Sequence, residues 1–247
     1  MPTLPPTPAP AAGWAILCDF DGTIAVEDVI DTLLERHGLP GWERLEEDWR
    51  AGRIGSGECM RGQVRLLDLD REALDAHLDG LSIDPAFPRF VALAERHGLP
   101  LQVVSDGLDH AIHRVLGRHG LGHLPVAANR LLAGQPPEYW RLESPHAAVG
   151  CDSGTCKCER ARQAGVGGRR RTLLVGDGAS DFCAAGEVDF VFAMKRLTGH
   201  CRSHGIPHLA IDGFGDALQA LPLLLEGRLS TPAPAPAPAA AGLAAVP

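Results

Sequence analysis

The sequence predicts an α/β fold, a Rossmann-like doubly wound parallel sheet with a helical cap inserted near its start. Three observations predict it. A short apolar run, Trp14 to Cys18, reads as a buried strand that ends in acidic residues. From Pro85 onward, apolar runs alternate with amphipathic segments of helical period, the pattern of a parallel sheet covered by helices. Between the two, residues 28–81 hold amphipathic stretches separated by Gly and Pro, with no clear strand.

Each element follows from its local pattern. After the opening strand, helices are expected at Asp28 to His37, Gly41 to Ala51, Ser56 to Leu67 and Asp70 to Leu78. The alternation then runs as a helix from Pro85 to His97, a strand from Leu99 to Val104, and a helix from Asp109 to His119. Pro125 to Leu142 is expected to hold a hairpin, and Lys157 to Ala164 a helix. A strand from Arg171 to Val175, a helix from Ser180 to Gly186 and a strand from Phe190 to Ala193 follow. The expected organisation is a core of residues 13–27 and 82–229, a cap of residues 28–81, and two Pro-rich tails, 1–12 and 230–247, extended and solvated.

Composition narrows the function classes. The 247 residues are 45% hydrophobic and 22% charged, enough to bury a core and outside the range of disordered chains. No stretch reaches the roughly 20 apolar residues of a membrane span. With 31 acidic against 23 basic residues the net charge is −8, which gives no general attraction to nucleic-acid phosphates. The seven cysteines are an odd number, widely spread, and no secretory signal precedes Gly13, so reduced thiols and a cytoplasmic location are expected. Cys151, Cys156 and Cys158 lack the paired Cys-x2-Cys spacing of zinc sites, so zinc is not expected there.

Four clusters fall at expected strand ends, where open α/β sheets bind ligands. Asp19-Phe20-Asp21-Gly22-Thr23 puts two carboxylates on one side of an extended segment, so that one can attack a phosphorus atom and the other can carry protons. Ser105-Asp106-Gly107 offers a hydroxyl and backbone N–H groups to a phosphate, although the same triplet alone also suits a turn or a helix cap. Lys157 is one of only two lysines, and its ammonium can balance a phosphate and an attacking carboxylate. Lys195, the other, follows a strand without such context and is expected to be structural. Asp177 and Asp181 open a helix after an apolar strand; they suit an N-cap or, beside a paired-Asp strand end, Mg²⁺.

These residues together resemble the haloacid dehalogenase superfamily of aspartate-dependent phosphatases, whose four ordered motifs match Asp19-x-Asp21, Ser105, Lys157 and Asp177 to Asp181. A helical block between the first two motifs is similar to the cap shared by the phosphoserine phosphatases and the methionine-salvage phosphatases of methylthio-ketose phosphates. Gly154-Thr155-Cys156-Lys157-Cys158, Ile54-Gly55-Ser56, Asn129-Arg130-Leu131 and Phe192-Ala193 resemble the second group more. Asp106, Asp28 and Ser180 stand where the phosphoserine enzymes carry Gly, Glu and Asn. The resemblance implies Asp19 as nucleophile, Asp21 as acid and base, and Ser105, Asp106, Gly107 and Lys157 around the phosphate. It further implies Mg²⁺ on Asp19, Asp21, Asp177 and Asp181, and a small phosphorylated metabolite as substrate. Asp28, Arg61 and Arg65 are the candidate specificity residues of the cap. A phosphoserine phosphatase-like enzyme and a non-catalytic binder of phosphate esters are the alternatives.

Overall fold

The computed structural model describes residues 13–135, 138–165 and 170–229, so both Pro-rich tails lie outside the described residues. Its centre is a seven-stranded sheet, built around β1 (Trp14–Cys18). On one side of β1 lie β2 (Leu101–Leu108), β3 (Val126–Gln135) and β4 (Glu138–Glu143); on the other lie β5 (Arg171–Gly176), β6 (Phe190–Ala193) and β7 (His208–Ala210). All pairings are parallel except β3 with β4, the expected hairpin.

Side-chain alternation explains why the strands are apolar throughout. Ile16 and Cys18 of β1 enter one core with Val103, Leu173, Val175 and Phe192. Leu17 enters a second core on the opposite face with Val104, Leu174, Val191 and Ala193. Successive residues of a strand point to opposite faces, so a sheet covered on both faces needs an apolar residue at nearly every position.

Four helices stand between β1 and the rest: α1 (Val29–His37), α2 (Trp42–Arg50), α3 (Ser56–Arg65) and α4 (Arg71–Leu78). Asp28 caps α1 by accepting from Asp31 N at 3.2 Å, and Asp70 caps α4 by accepting from Ala73 N at 2.8 Å. The apolar stripes of α1, α3 and α4, including Leu33, Leu34, Val64, Leu74 and Leu78, join the same core as α5 (Phe87–Arg96) and one face of the sheet, whereas the buried residue of α2 is Glu46. The block is tied down on one flank. Arg114 of α6 (Asp109–Arg118) donates to both oxygens of Asp79, at 2.8 and 2.7 Å, and His110 contacts Asp75 at 2.6 Å. Trp140 Nε1 of β4 donates to Leu69 O at 2.8 Å.

The structure departs from the sequence expectation in three places. β2 runs on to Leu108 instead of ending at Val104, because its ladder with β3 shifts register and resumes at Leu108 opposite Asn129. The helix expected at Ser180 to Gly186 is a 3₁₀ turn, Ala179–Asp181, followed by α8 (Phe182–Ala185). After α7 (Lys157–Gly165) and β6, the chain adds α9 (Lys195–His204), β7 and α10 (Phe214–Leu225). No described helix is long and apolar enough to cross a membrane.

Candidate active site

The carboxyl ends of β1, β2 and β5 converge on one crevice, a cavity of about 310 Å³ roofed by α1, α2 and α3. Asp19, Asp21, Ser105, Asp106, Gly107, Asp177 and Asp28 all line it, whereas Lys157 and Asp181 are buried behind its wall.

Asp19 leaves β1 with its backbone N–H still bonded to Val175 O of β5 at 2.9 Å. Its Oδ1 accepts from Phe20 N at 2.7 Å, and its Oδ2 meets Lys157 Nζ at 2.7 Å. Lys157 heads α7 and also reaches Asp181 Oδ1 at 2.7 Å and Ser180 Oγ at 3.0 Å. Asp181 uses its other oxygen to accept from Asp177 N and Gly178 N, at 3.1 and 3.2 Å. One buried ammonium thus ties the first cluster to the fourth. Burial works against the charge on Lys157, but Asp181 and Asp19 outweigh it and hold the ammonium protonated.

Asp21 is held differently. Its Oδ1 accepts from Val29 N, the first residue of α1, at 3.0 Å, and its Oδ2 accepts from Ser105 Oγ at 3.1 Å. Directly after Asp21, Gly22 turns the chain at φ +66°, and a Cβ there would lie 2.7 Å from Asp177 Oδ2. Burial, with Asp181 beside it, holds the Asp19 carboxyl well above the usual carboxylate range although Lys157 pulls the other way. Burial likewise pushes Asp21 up, against the pull of its bonds from Val29 and Ser105.

Too much negative charge is therefore gathered for the cations that face it. Carboxylate oxygens of Asp19, Asp177 and Asp181 lie within 4.8 Å of one another. An all-oxygen donor set with surplus charge fits a hard divalent cation such as Mg²⁺, which takes one or two carboxylates and keeps other positions for water and phosphate.

Several expected roles change in the structure. Gly107 N–H does not stand free for a phosphate; it donates to Ser105 Oγ at 2.9 Å and so fixes the hydroxyl. The Asp106 carboxylate is taken up by Ser56, Asn129 and Thr155. Arg61 and Arg65 are not in the crevice at all. They share a separate surface groove with Arg141 of β4, because their face of α3 turns to the β3–β4 hairpin. Asp28 does line the crevice, near Asp31 and Glu46 on its far wall. Desolvation by the crevice walls around it, then the neighbouring Asp21, Asp31 and Glu46, push the carboxyl of this solvent-accessible residue up.

Lys195, expected to be structural, stands at the crevice. It sits in the left-handed region at φ 44° and donates to Asp177 Oδ2 at 3.0 Å and to Gly22 O at 2.8 Å, bridging the first and fourth clusters at the mouth. The scarcity of lysine that singled out Lys157 applied equally to it. Glu46, Gln63, Cys59 and Met60 complete the far wall; Glu46 accepts from Gln63 at 3.1 Å and pairs with Arg50 at 2.9 Å. Away from the crevice, Cys183 joins Cys151, Cys156 and Cys158 around a separate cavity.

Comparison with known proteins bears on this geometry. The family model for haloacid dehalogenase-like hydrolases matches residues 16–186. A 2-hydroxy-3-keto-5-methylthiopentenyl-1-phosphate phosphatase from Geobacillus kaustophilus (strain HTA426) is 31% identical over 219 residues, 83% of this chain and 94% of that protein. The protein of the same name from Exiguobacterium sp. (strain ATCC BAA-1283 / AT1b) is 31% identical over 212 residues, 81% of this chain and 94% of the relative. Among solved structures, a phospho-aspartyl intermediate analogue of phosphoserine phosphatase superposes with a TM-score of 0.65 at 21% identity, over 84% of this chain and 98% of that one, a likeness of fold.

Proposed function

The chain belongs to the haloacid dehalogenase-like hydrolase family, and on that premise we propose that it is a Mg²⁺-dependent phosphatase of small phosphomonoesters that works through an aspartyl phosphate. The observation that carries the reading is the division of labour at one strand end, with Asp19 against the Lys157 ammonium and Asp21 against the Ser105 hydroxyl.

In the first half-reaction an Asp19 carboxylate oxygen attacks phosphorus; the Asp19–phosphorus bond forms as the ester P–O bond breaks. The raised Asp21 carboxyl gives its proton to the departing oxygen. In the second half, Asp21 takes a proton from water as that water attacks the acyl phosphate, releasing inorganic phosphate and restoring Asp19. Lys157 and the Ser105 hydroxyl, held in place by Gly107 N–H, orient the phosphoryl oxygens. Asp19, Asp177, Asp181 and the Asp21 carbonyl would hold Mg²⁺, which when bound draws off charge that builds on those oxygens.

For the substrate, the relatives' name points to a methylthio-ketose phosphate, and the far wall supports it. Asp28 and Asp31 can accept from sugar hydroxyls, while Ile30, Cys59 and Met60 offer an apolar surface to a thioether. The carboxylate of phosphoserine would meet an acidic wall whose Arg50 is already paired with Glu46. The helical block, residues 28–81, serves as the cap that shuts water out during transfer.

The test is phosphate release from a panel of small esters, including phosphoserine and enolised methylthio-ketose phosphates, with and without Mg²⁺. Release that requires the metal and falls at least about 10³-fold in Asp19→Asn, in folded protein, is the expected result. Unchanged turnover in that variant would sink the mechanism.

A further inference from the structure

Asp106 follows the phosphate-binding Ser105, yet its carboxylate points elsewhere. Oδ2 accepts from Ser56 Oγ, on the first residue of α3, at 2.5 Å. Oδ1 accepts from Thr155 N, two residues before Lys157, at 2.8 Å, and from Asn129 Nδ2 of β3 at 3.1 Å. Asn129 Nδ2 also donates to the backbone carbonyl of Asp106 at 2.5 Å. Asp106 is 8% exposed, and Asn129 and Thr155 are wholly buried. One carboxylate therefore joins four separate parts of the chain: the helical block, the carboxyl end of β2, the inner strand of the hairpin and the segment that delivers Lys157.

The surrounding contacts reinforce this junction. Gly57 N donates to Asp152 O at 3.0 Å, and a Cβ on Gly57 would lie 2.7 Å from Gly154 N, so the start of α3 is seated directly on the backbone of residues 152–154. An unpartnered Asp106 carboxylate facing a phosphate would repel it; here three N–H or O–H donors take up the charge.

We infer that Asp106 is a positioning residue for the proposed phosphatase reaction: it latches the helical block shut through Ser56 and, through Thr155, keys that closed position to the placement of Lys157. The inference rests on the phosphatase reading only for its catalytic consequence. Block closure and lysine placement then form one two-state element, and weakening the latch lowers the fraction of competent enzyme.

The experiment uses Ser56→Ala, Asp106→Ala, Asp106→Asn and the double variant Ser56→Ala/Asp106→Ala. Loss of one hydrogen bond to a charged group predicts about a tenfold rise in KM for Ser56→Ala. Asp106→Ala raises KM to a similar degree and also lowers kcat, because the Lys157 segment is released with it. Adding Ser56→Ala to Asp106→Ala produces no further rise in KM. Asp106→Asn recovers part of the loss, since it keeps an oxygen for Thr155 N–H and offers an N–H to Ser56 Oγ. Inhibition by inorganic phosphate separates the alternative: if Asp106 touched the phosphate, Asp106→Asn would change the inhibition constant while Ser56→Ala would not, and that result overturns the latch. Additive effects of the two alanine variants on KM overturn it as well. Amide hydrogen exchange at Gly57 and Thr155 gives a readout free of catalysis. Both amides exchange faster in Ser56→Ala and in Asp106→Ala if the latch exists, and unchanged exchange overturns it even in protein that hydrolyses no ester.

Discussion

Lys157 is the residue on which the site's electrostatics turn. It is 3% exposed and shared between Asp19 and Asp181. Removing one partner of a buried ionic cluster leaves the others uncompensated, at a cost of about 3–5 kcal/mol. Lys157→Met should therefore lose stability of that order in urea unfolding as well as losing turnover, whereas Lys195→Met, whose side chain is 57% exposed, should lose less than about 1 kcal/mol. Residue-level legibility followed the same physics. The paired acids and Lys157 could be read because spacing along a strand and scarcity are properties of the sequence. Arg61 and Arg65 were misplaced because a helix period marks a polar face without saying which neighbour it meets. Lys195 reads as structural in the sequence because its reach to Asp177 depends on a left-handed backbone at its own position.

Among elements, α4 and α6 show how the helical block is fastened. Arg114 bridges Asp75 and Asp79 with its own side chain 30% exposed, and solvent screens such pairs so that they contribute little. Arg114→Ala should correspondingly cost little in thermal unfolding and leave kcat near its original value, while amide exchange along α4 quickens. Leu74 on the buried face of the same helix is 0% exposed, and Leu74→Ala should cost about 2–5 kcal/mol in chemical denaturation. The block is held by its apolar stripe far more than by its charges. Those stripes are also why its four helices were legible as elements. The three-residue β7 was not, for a strand that short carries too few alternations to stand out. The extension of β2 through Ser105-Asp106-Gly107 was hidden because polar residues with a glycine read as a turn; the three lie where the ladder with β3 shifts register, and only its resumption at Leu108 carries the strand past them.

For the molecule as a whole, the surplus of acid at the crevice should link folding to the proposed cation. A ligand that binds only the folded state adds about 2.7 kcal/mol when present at a hundred times its Kd. Mg²⁺ should raise the midpoint of thermal unfolding of the metal-free protein by several degrees, and Asp177→Asn should remove most of that rise; an equal rise in the variant would show that the acids do not hold the ion. The doubly wound plan was legible from strand and helix alternation, but the joining of distant clusters by single side chains was not, since that is a property of the closed sheet.

The strand order has a consequence for how the protein comes into being. β1 lies between β2 and β5, with Cys18 beside Val103 on one edge and Val175 on the other. Synthesis proceeds from the amino end, so a ribosome releases β1 long before β5 exists. Through that interval Asp19 has neither Lys157 nor Asp181, and one edge of β1 presents open N–H and C=O groups to any passing strand. The nascent chain is thus at its most vulnerable to misassembly just before residues 157–181 emerge. Slow synonymous codons or a truncation in that stretch should show up as aggregation, long before they show up as lost chemistry.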